Sequence, residues 1–171
     1  MLGVVAVCLL AVGAVAGFAW EVDRQLRGGL LRQRAEAAAR PDWVSLRTLP
    51  PGIPRIFVAT VDPGFDEREA LAEIDVPDRM TLTRDLVRQV HLLDRGLPAA
   101  ARALAMAPIL EHHLSKRAIL ELYLNRVHFG DSGGEPVYGL FHAAREFFGK
   151  QPAELTMGET ATLAGLLLPP R

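Results

Sequence analysis

The sequence predicts a mainly α-helical domain behind one N-terminal transmembrane helix. Three observations carry that expectation. The chain opens on an uncharged stretch long enough to cross a bilayer. Apolar residues in the remainder recur at helical spacing. No long run of alternating apolar and polar residues marks a sheet, and no repeat marks a solenoid.

Leu2 to Trp20 contains no charged side chain, and Trp20 suits the membrane interface. Residues 1–20 are therefore read as a transmembrane anchor, with a signal peptide cleaved near Ala14-Val15-Ala16 as the alternative. No Lys or Arg precedes this segment, whereas Arg24, Arg27, Arg32 and Arg34 follow it. By the positive-inside rule alone, the rest of the chain would be cytoplasmic. Residues 21–40 are rich in Arg, Ala, Glu and Gly and read as a stalk. The clusters Pro41-Asp42-Trp43 and Pro50-Pro51-Gly52-Ile53-Pro54 break regular structure, so the folded domain is taken as 41–171.

Within that domain Leu86, Val87, Val90 and Leu93 predict a helix over 83–93. A second is expected over 99–114, kinked or interrupted at Pro108. A third is expected over 115–126, with Ser115 as N-cap and Ile119, Tyr123 and Val127 as its buried stripe. A fourth is expected over 136–148, closed by Gly149. Thr156 and Glu159 form a capping-box pattern that opens a fifth, running to Leu168. Phe141, Phe147 and Phe148 read as core.

Composition narrows the function. The 171 residues are 50% hydrophobic and 23% charged, with a formal net charge of -1, as in a folded protein. There is no basic excess to neutralise phosphates, which argues against nucleic acid as a partner. Cys8 alone cannot form an intramolecular disulfide. The five histidines show no zinc-ligand spacing, so no metal site is expected.

One stretch is far more specific. Ser115 to Gly130, SKRAILELYLNRVHFG, resembles the signature of the family 51 glycosyltransferases, the transglycosylases of class A penicillin-binding proteins and their monofunctional counterparts. Ser115, Lys116, Ile119, Leu120, Glu121, Tyr123, Leu124, Asn125 and Gly130 all match that signature. Val137-Tyr138-Gly139, Ala143-Ala144, Phe148-Gly149-Lys150 and Glu159 continue the match, and Trp43 to Phe65 resembles the family's lead-in. The resemblance implies a lysozyme-like helical lobe with a smaller jaw subdomain, displayed outside the cytoplasmic membrane. That topology overrides the arginines after the anchor. It also implies lipid II-type precursors as ligand, the membrane as surface, and penicillin-binding or other cell-wall synthesis proteins as partners.

The family's reaction is an inverting displacement on a lipid-linked sugar. A carboxylate takes the proton of the attacking hydroxyl, and cations stabilise the departing pyrophosphate. No cofactor is expected. A divalent cation is compatible with pyrophosphate departure, but the sequence offers no ligand cluster for one.

Against the family's Glu-Asp-x-x-Phe-x-x-His-x-Gly motif, Asp62 and Phe65 match, while Val61, Arg68 and Ala70 replace the glutamate, histidine and glycine. In the Gly-Gly-Ser-Thr-Ile-Thr-Gln-Gln-Leu segment Thr81, Thr83 and Leu86 match. The glycines, serine and both glutamines are gone. The Arg-Lys-x-x-Glu motif falls on Ala99, Ala100 and Ala103. Both expected glutamates are thus missing, and the resemblance implies a domain shortened in the jaw and at its C-terminal end. Asp62 remains as the candidate catalytic acid, with Asp66 and Glu67 as neighbouring substitutes. Lys116, Arg84, Arg88, Thr81, Thr83 and Glu121 are the candidate substrate-binding residues. Glu121 and Asn125 also suit structural roles, as a helix-face ion pair and a helix cap.

Overall fold

The structure is a computed structural model that describes residues 13, 17, 20, 24, 36–67, 81–89 and 99–168, the side chains of 99–105 excepted. The chain divides into two units, Met1–Glu36 and Ala37–Arg171. In the first, residues 13, 17, 20 and 24 are helical, and the Arg24 guanidinium lies 5.6 Å from the centre of the Trp20 ring. Among the described residues no helix is long and apolar enough to cross a membrane. Most of the anchor and stalk expected over 1–40, and the jaw expected between the first two motifs, lie outside them.

The second unit is mainly helical, as the sequence predicts. Helix α1, Gly52–Val61, begins inside the proline cluster that was expected to break regular structure. Pro54 sits in the first turn, where its missing N–H has no intrahelical acceptor to lose. Helix α2, Leu82–Gln89, buries Leu82, Leu86 and Val87 against α3, Ala99–His113, which continues through Pro108 without interruption. Helix α4, Lys116–Leu124, starts where Ser115 Oγ accepts the Ala118 N–H at 3.2 Å. Its stripe is the expected one, with Ile119, Tyr123 and the following Val127 all at most 2% exposed.

The helix expected from Pro136 is a correction. Residues His128–Ser132 (β1) and Glu135–Tyr138 (β2) form an antiparallel hairpin, and helix α5 starts only at Leu140, ending at Phe148. Gly133 and Gly134 make the two-residue turn, at φ 59° and 90°. Positive φ at both central positions matches strand twist and strongly favours glycine there. Gly139 follows at φ 81°, where a Cβ would stand 2.8 Å from the Asn125 carbonyl oxygen. Gly149 closes α5 in the left-handed conformation, as expected.

Helix α6, Met157–Leu166, has the expected capping box. Glu159 Oε2 accepts the Thr156 N–H at 2.8 Å, and Thr156 Oγ1 accepts the Glu159 N–H at 3.3 Å. It lies against α1. The Phe57 and Phe129 rings meet edge to face, centroids 6.1 Å apart, which locks the hairpin to α1. Phe141, Phe147 and Phe148 are half-buried rather than core. Helix α5 turns Leu140, Ala143 and Ala144 inward instead.

Candidate functional site

The signature residues converge on the junction of α1, α2, α3 and α4. Asp62 ends α1, and its N–H donates to the Val58 carbonyl at 2.9 Å. Its side chain turns inward, leaving the residue 2% exposed, and Oδ2 accepts the Leu82 N–H at 3.2 Å. The carboxylate thus satisfies one of the orphan amides at the start of α2. Thr81 satisfies another, its Oγ1 accepting the Arg84 N–H at 3.3 Å. Val61, expected from the motif comparison to replace a glutamate, is the last residue of α1 and half-buried.

A second carboxylate organises the other side of the junction. Glu111, near the end of α3, has a side chain only 1% exposed. Its Oε1 accepts the Thr83 hydroxyl at 2.5 Å, and its Oε2 pairs with Lys116 Nζ at 2.6 Å. That ammonium also lies 4.6 Å from the centre of the buried Phe65 ring. Three helices and the turn after α1 therefore meet on one buried anion. Sequence reasoning missed Glu111. The available signal was an acid directly after the apolar run Pro108-Ile109-Leu110, four residues before Ser115.

Glu121 and Asn125 face the lead-in. Glu121 Oε2 accepts the Leu46 N–H at 3.0 Å and the Ser45 hydroxyl at 3.3 Å. Asn125 caps α4, as expected, and also binds both the N–H and the carbonyl of Val44. Glu121 was expected to pair along its helix face with Lys116 or Arg126; Lys116 pairs instead with Glu111, and among the described residues Arg126 makes no ion pair with Glu121.

Arg84 is 4% exposed within α2, whereas Arg88 is exposed at the rim of a cavity of about 720 Å³. The Ala103 side chain lies outside the described residues. The Tyr123 hydroxyl is buried beside Asp85. Burial above all, then the nearby charges of Asp85 and Asp62, pushes its pKa well above the ordinary range. In the turn after α1, Asp66 and Glu67 are exposed. Asp66 and Lys116 help line a cavity of about 450 Å³. Among the described residues no group of three His, Cys, Asp or Glu side chains is placed to hold a metal ion.

This junction can tie four elements together, but a base must reach a substrate hydroxyl, and both of its carboxylates are turned inward and occupied. A family model described as Transglycosylase matches residues 80–171, more than half of the chain. The chain belongs to the transglycosylase family. Among relatives, penicillin-binding protein 1A of Escherichia coli strain K12 is 31% identical over 154 residues, covering 81% of this chain and 17% of that protein. The biosynthetic peptidoglycan transglycosylase of a Marinomonas species is 31% identical over 148 residues, covering 75% of this chain and 62% of that protein. Penicillin-binding protein 1F of Bacillus subtilis is 30% identical over 138 residues, 72% of this chain and 19% of its own length. The chain therefore spans a small part of the penicillin-binding relatives and under two thirds of the Marinomonas transglycosylase. The family match covers α4 and its surroundings.

Proposed function

We propose that this transglycosylase-family chain works in bacterial cell-wall synthesis by holding a lipid II-type precursor or a cell-wall synthesis partner, with glycan transfer largely lost. The observation that carries this reading is Asp62. It is the acid next to the vacated glutamate position, and it is buried against the Leu82 amide. A neighbouring acid on the same helix end points about 100° away and does not inherit a base's position. Loss of a general base costs on the order of 10²–10⁴-fold in rate. The cation pair that would stabilise pyrophosphate is replaced by Ala99 and Ala100.

The reading places the chain at the cytoplasmic membrane, anchored by one N-terminal helix with the domain on the extracytoplasmic side. Lys116, Arg84, Arg88, Thr81, Thr83 and Glu121 remain the candidate residues for the precursor. Arg88 is the one exposed among them, and Lys116 retains a solvent-facing quarter of its side chain. No cofactor is required.

A second reading keeps polymerisation through a replacement base. Its support is the exposure of Asp66 and Glu67 on the turn after α1. Separate assays of binding and turnover distinguish the two. The first reading expects labelled lipid II to bind the full chain in detergent without being polymerised. Product that disappears in Asp66→Asn or Glu67→Gln would establish the second.

A further inference from the structure

Helices α1 and α6 lie against each other, and their first residues, Gly52 and Met157, meet. A Cβ at position 52 would overlap the Met157 methyl group and stand 2.9 Å from its sulfur. The thioether thus rests on the Gly52 backbone, in space left open by the missing side chain. Behind this contact Ile53 and Phe57 of α1, and Thr160, Leu163 and Ala164 of α6, are buried. Met157 covers the end at which the two helices begin.

The same residue is open to water. Met157 is 58% exposed, whereas Met106, the other methionine among the described residues, is 2% exposed. A dissolved oxidant therefore reaches Met157 while burial shields Met106. The backbone beneath Met157 is held on both sides. Thr156 and Glu159 close the capping box around it, and Lys150 Nζ binds Glu159 Oε1 at 2.6 Å. A chemical change at the sulfur is accordingly taken up by the side chain and its contact with Gly52.

We propose that Met157 is a reversible oxidation site, at which a peroxide forms a sulfoxide that loosens the start of α6 from α1. A sulfur lone pair attacks one peroxide oxygen and the O–O bond breaks. That oxygen stays on sulfur, its proton passes to the departing oxygen, and water or an alcohol leaves. Sulfur loses two electrons and the peroxide gains them. The product replaces a pliable apolar group with a polar one. Its oxygen stays hydrated by turning to solvent, because burying it against Gly52 without a hydrogen bond is costly. The side chain then withdraws, and the paired helices lose the cover at that end. The proposal goes beyond the function given above and does not depend on precursor binding or glycan transfer.

The test treats the full-length protein in detergent with hydrogen peroxide and reads each methionine separately by mass spectrometry of its peptides. Met157 should gain one oxygen while Met106 remains unmodified. The melting temperature should fall by about 2–4 °C, the scale of a modest packing loss in a chain of this length. Methionine sulfoxide reductases should restore both the mass and the melting temperature. Met157→Leu keeps an apolar cover without an oxidisable sulfur, so the same treatment should leave its melting temperature unchanged. That variant separates Met157 from Cys8, Met1 and Met80 as the source of the fall. Met157→Gln, polar at this position without any oxidant, should melt below the native protein. Equal oxidation rates at Met157 and Met106, a fully oxidised Met157 with an unchanged melting temperature, or the same fall in Met157→Leu would overturn the proposal.

Discussion

Asn125 holds Val44 as a strand partner would: its Oδ1 accepts the Val44 N–H at 2.7 Å and its Nδ2 donates to the Val44 carbonyl at 2.8 Å. The same Nδ2 donates to the Glu121 carbonyl at 2.7 Å, so one side chain closes α4 and fastens the lead-in across 81 positions. Val44 is 5% exposed, which leaves water little access to those backbone groups. Asn125→Ala should cost about 1–3 kcal/mol, the penalty for stranding a buried donor or acceptor. Urea unfolding monitored by circular dichroism checks this. Asn125→Asp retains the acceptor but not the donor and should fall between the two.

The Glu111 carboxylate predicts non-additive variants. Lys116→Met removes its cation and leaves a nearly inaccessible anion held only by Thr83 among its described contacts. Because Lys116 keeps a quarter of its side chain in solvent, about 1–3 kcal/mol is expected, below the range for breaking a fully buried pair. Lys116→Met with Glu111→Gln should recover part of that loss, since the neutral amide no longer needs a cation. Simple additivity would show that the pair is not coupled.

Gly139 and Gly149 separate backbone strain from collision. Both have positive φ, 81° and 67°, but only at Gly139 would a Cβ meet a backbone atom, the Asn125 oxygen at 2.8 Å. Gly149→Ala should cost about 1–2 kcal/mol for the left-handed conformation alone. Gly139→Ala should cost more, about 2–4 kcal/mol, because strain adds to a clash that no flexible side chain can absorb. Thermal melts of the two variants side by side decide the order.

The capping box of α6 predicts an acid-sensitive contribution. The Lys150 hydrogen bond first, then the Thr156 backbone N–H, holds the Glu159 carboxyl down to about 2 from its usual 4.5. A group depressed in the folded state adds stability that is fully present above its unfolded value and is lost as pH falls. The melting temperature should therefore decline between about pH 4.5 and 2, and the decline should be shallower in Glu159→Gln. Parallel profiles for the two proteins would contradict this account.

Local chemistry made much of the fold legible. The Ser115 cap, the Thr156–Glu159 box and the Gly149 end each draw on residues within five positions of one another. The hairpin was harder to read. Phe129 and Val137 are its buried side chains, too few for a period-two pattern, although Gly133-Gly134 was a usable turn signal. The site was less legible still. Glu111 acquires its role from Thr83, 28 positions away, and Asn125 from Val44, 81 positions away. Such pairings exist only after α2, α3, α4 and the lead-in have come together. The motif matches located Asp62, Thr83 and Lys116, but not the inward direction of their hydrogen bonds.

The most direct measurement is polymerisation of lipid II by the purified full-length protein in detergent, beside an active member of the family. A cooperative thermal transition must first show that the sample is folded. The proposed reading, in which Val61 and Ala103 take the place of the motif glutamates, expects no glycan chain above the background without protein. Glycan strands made at a rate near that of the active relative would contradict the loss of catalysis on which this account rests.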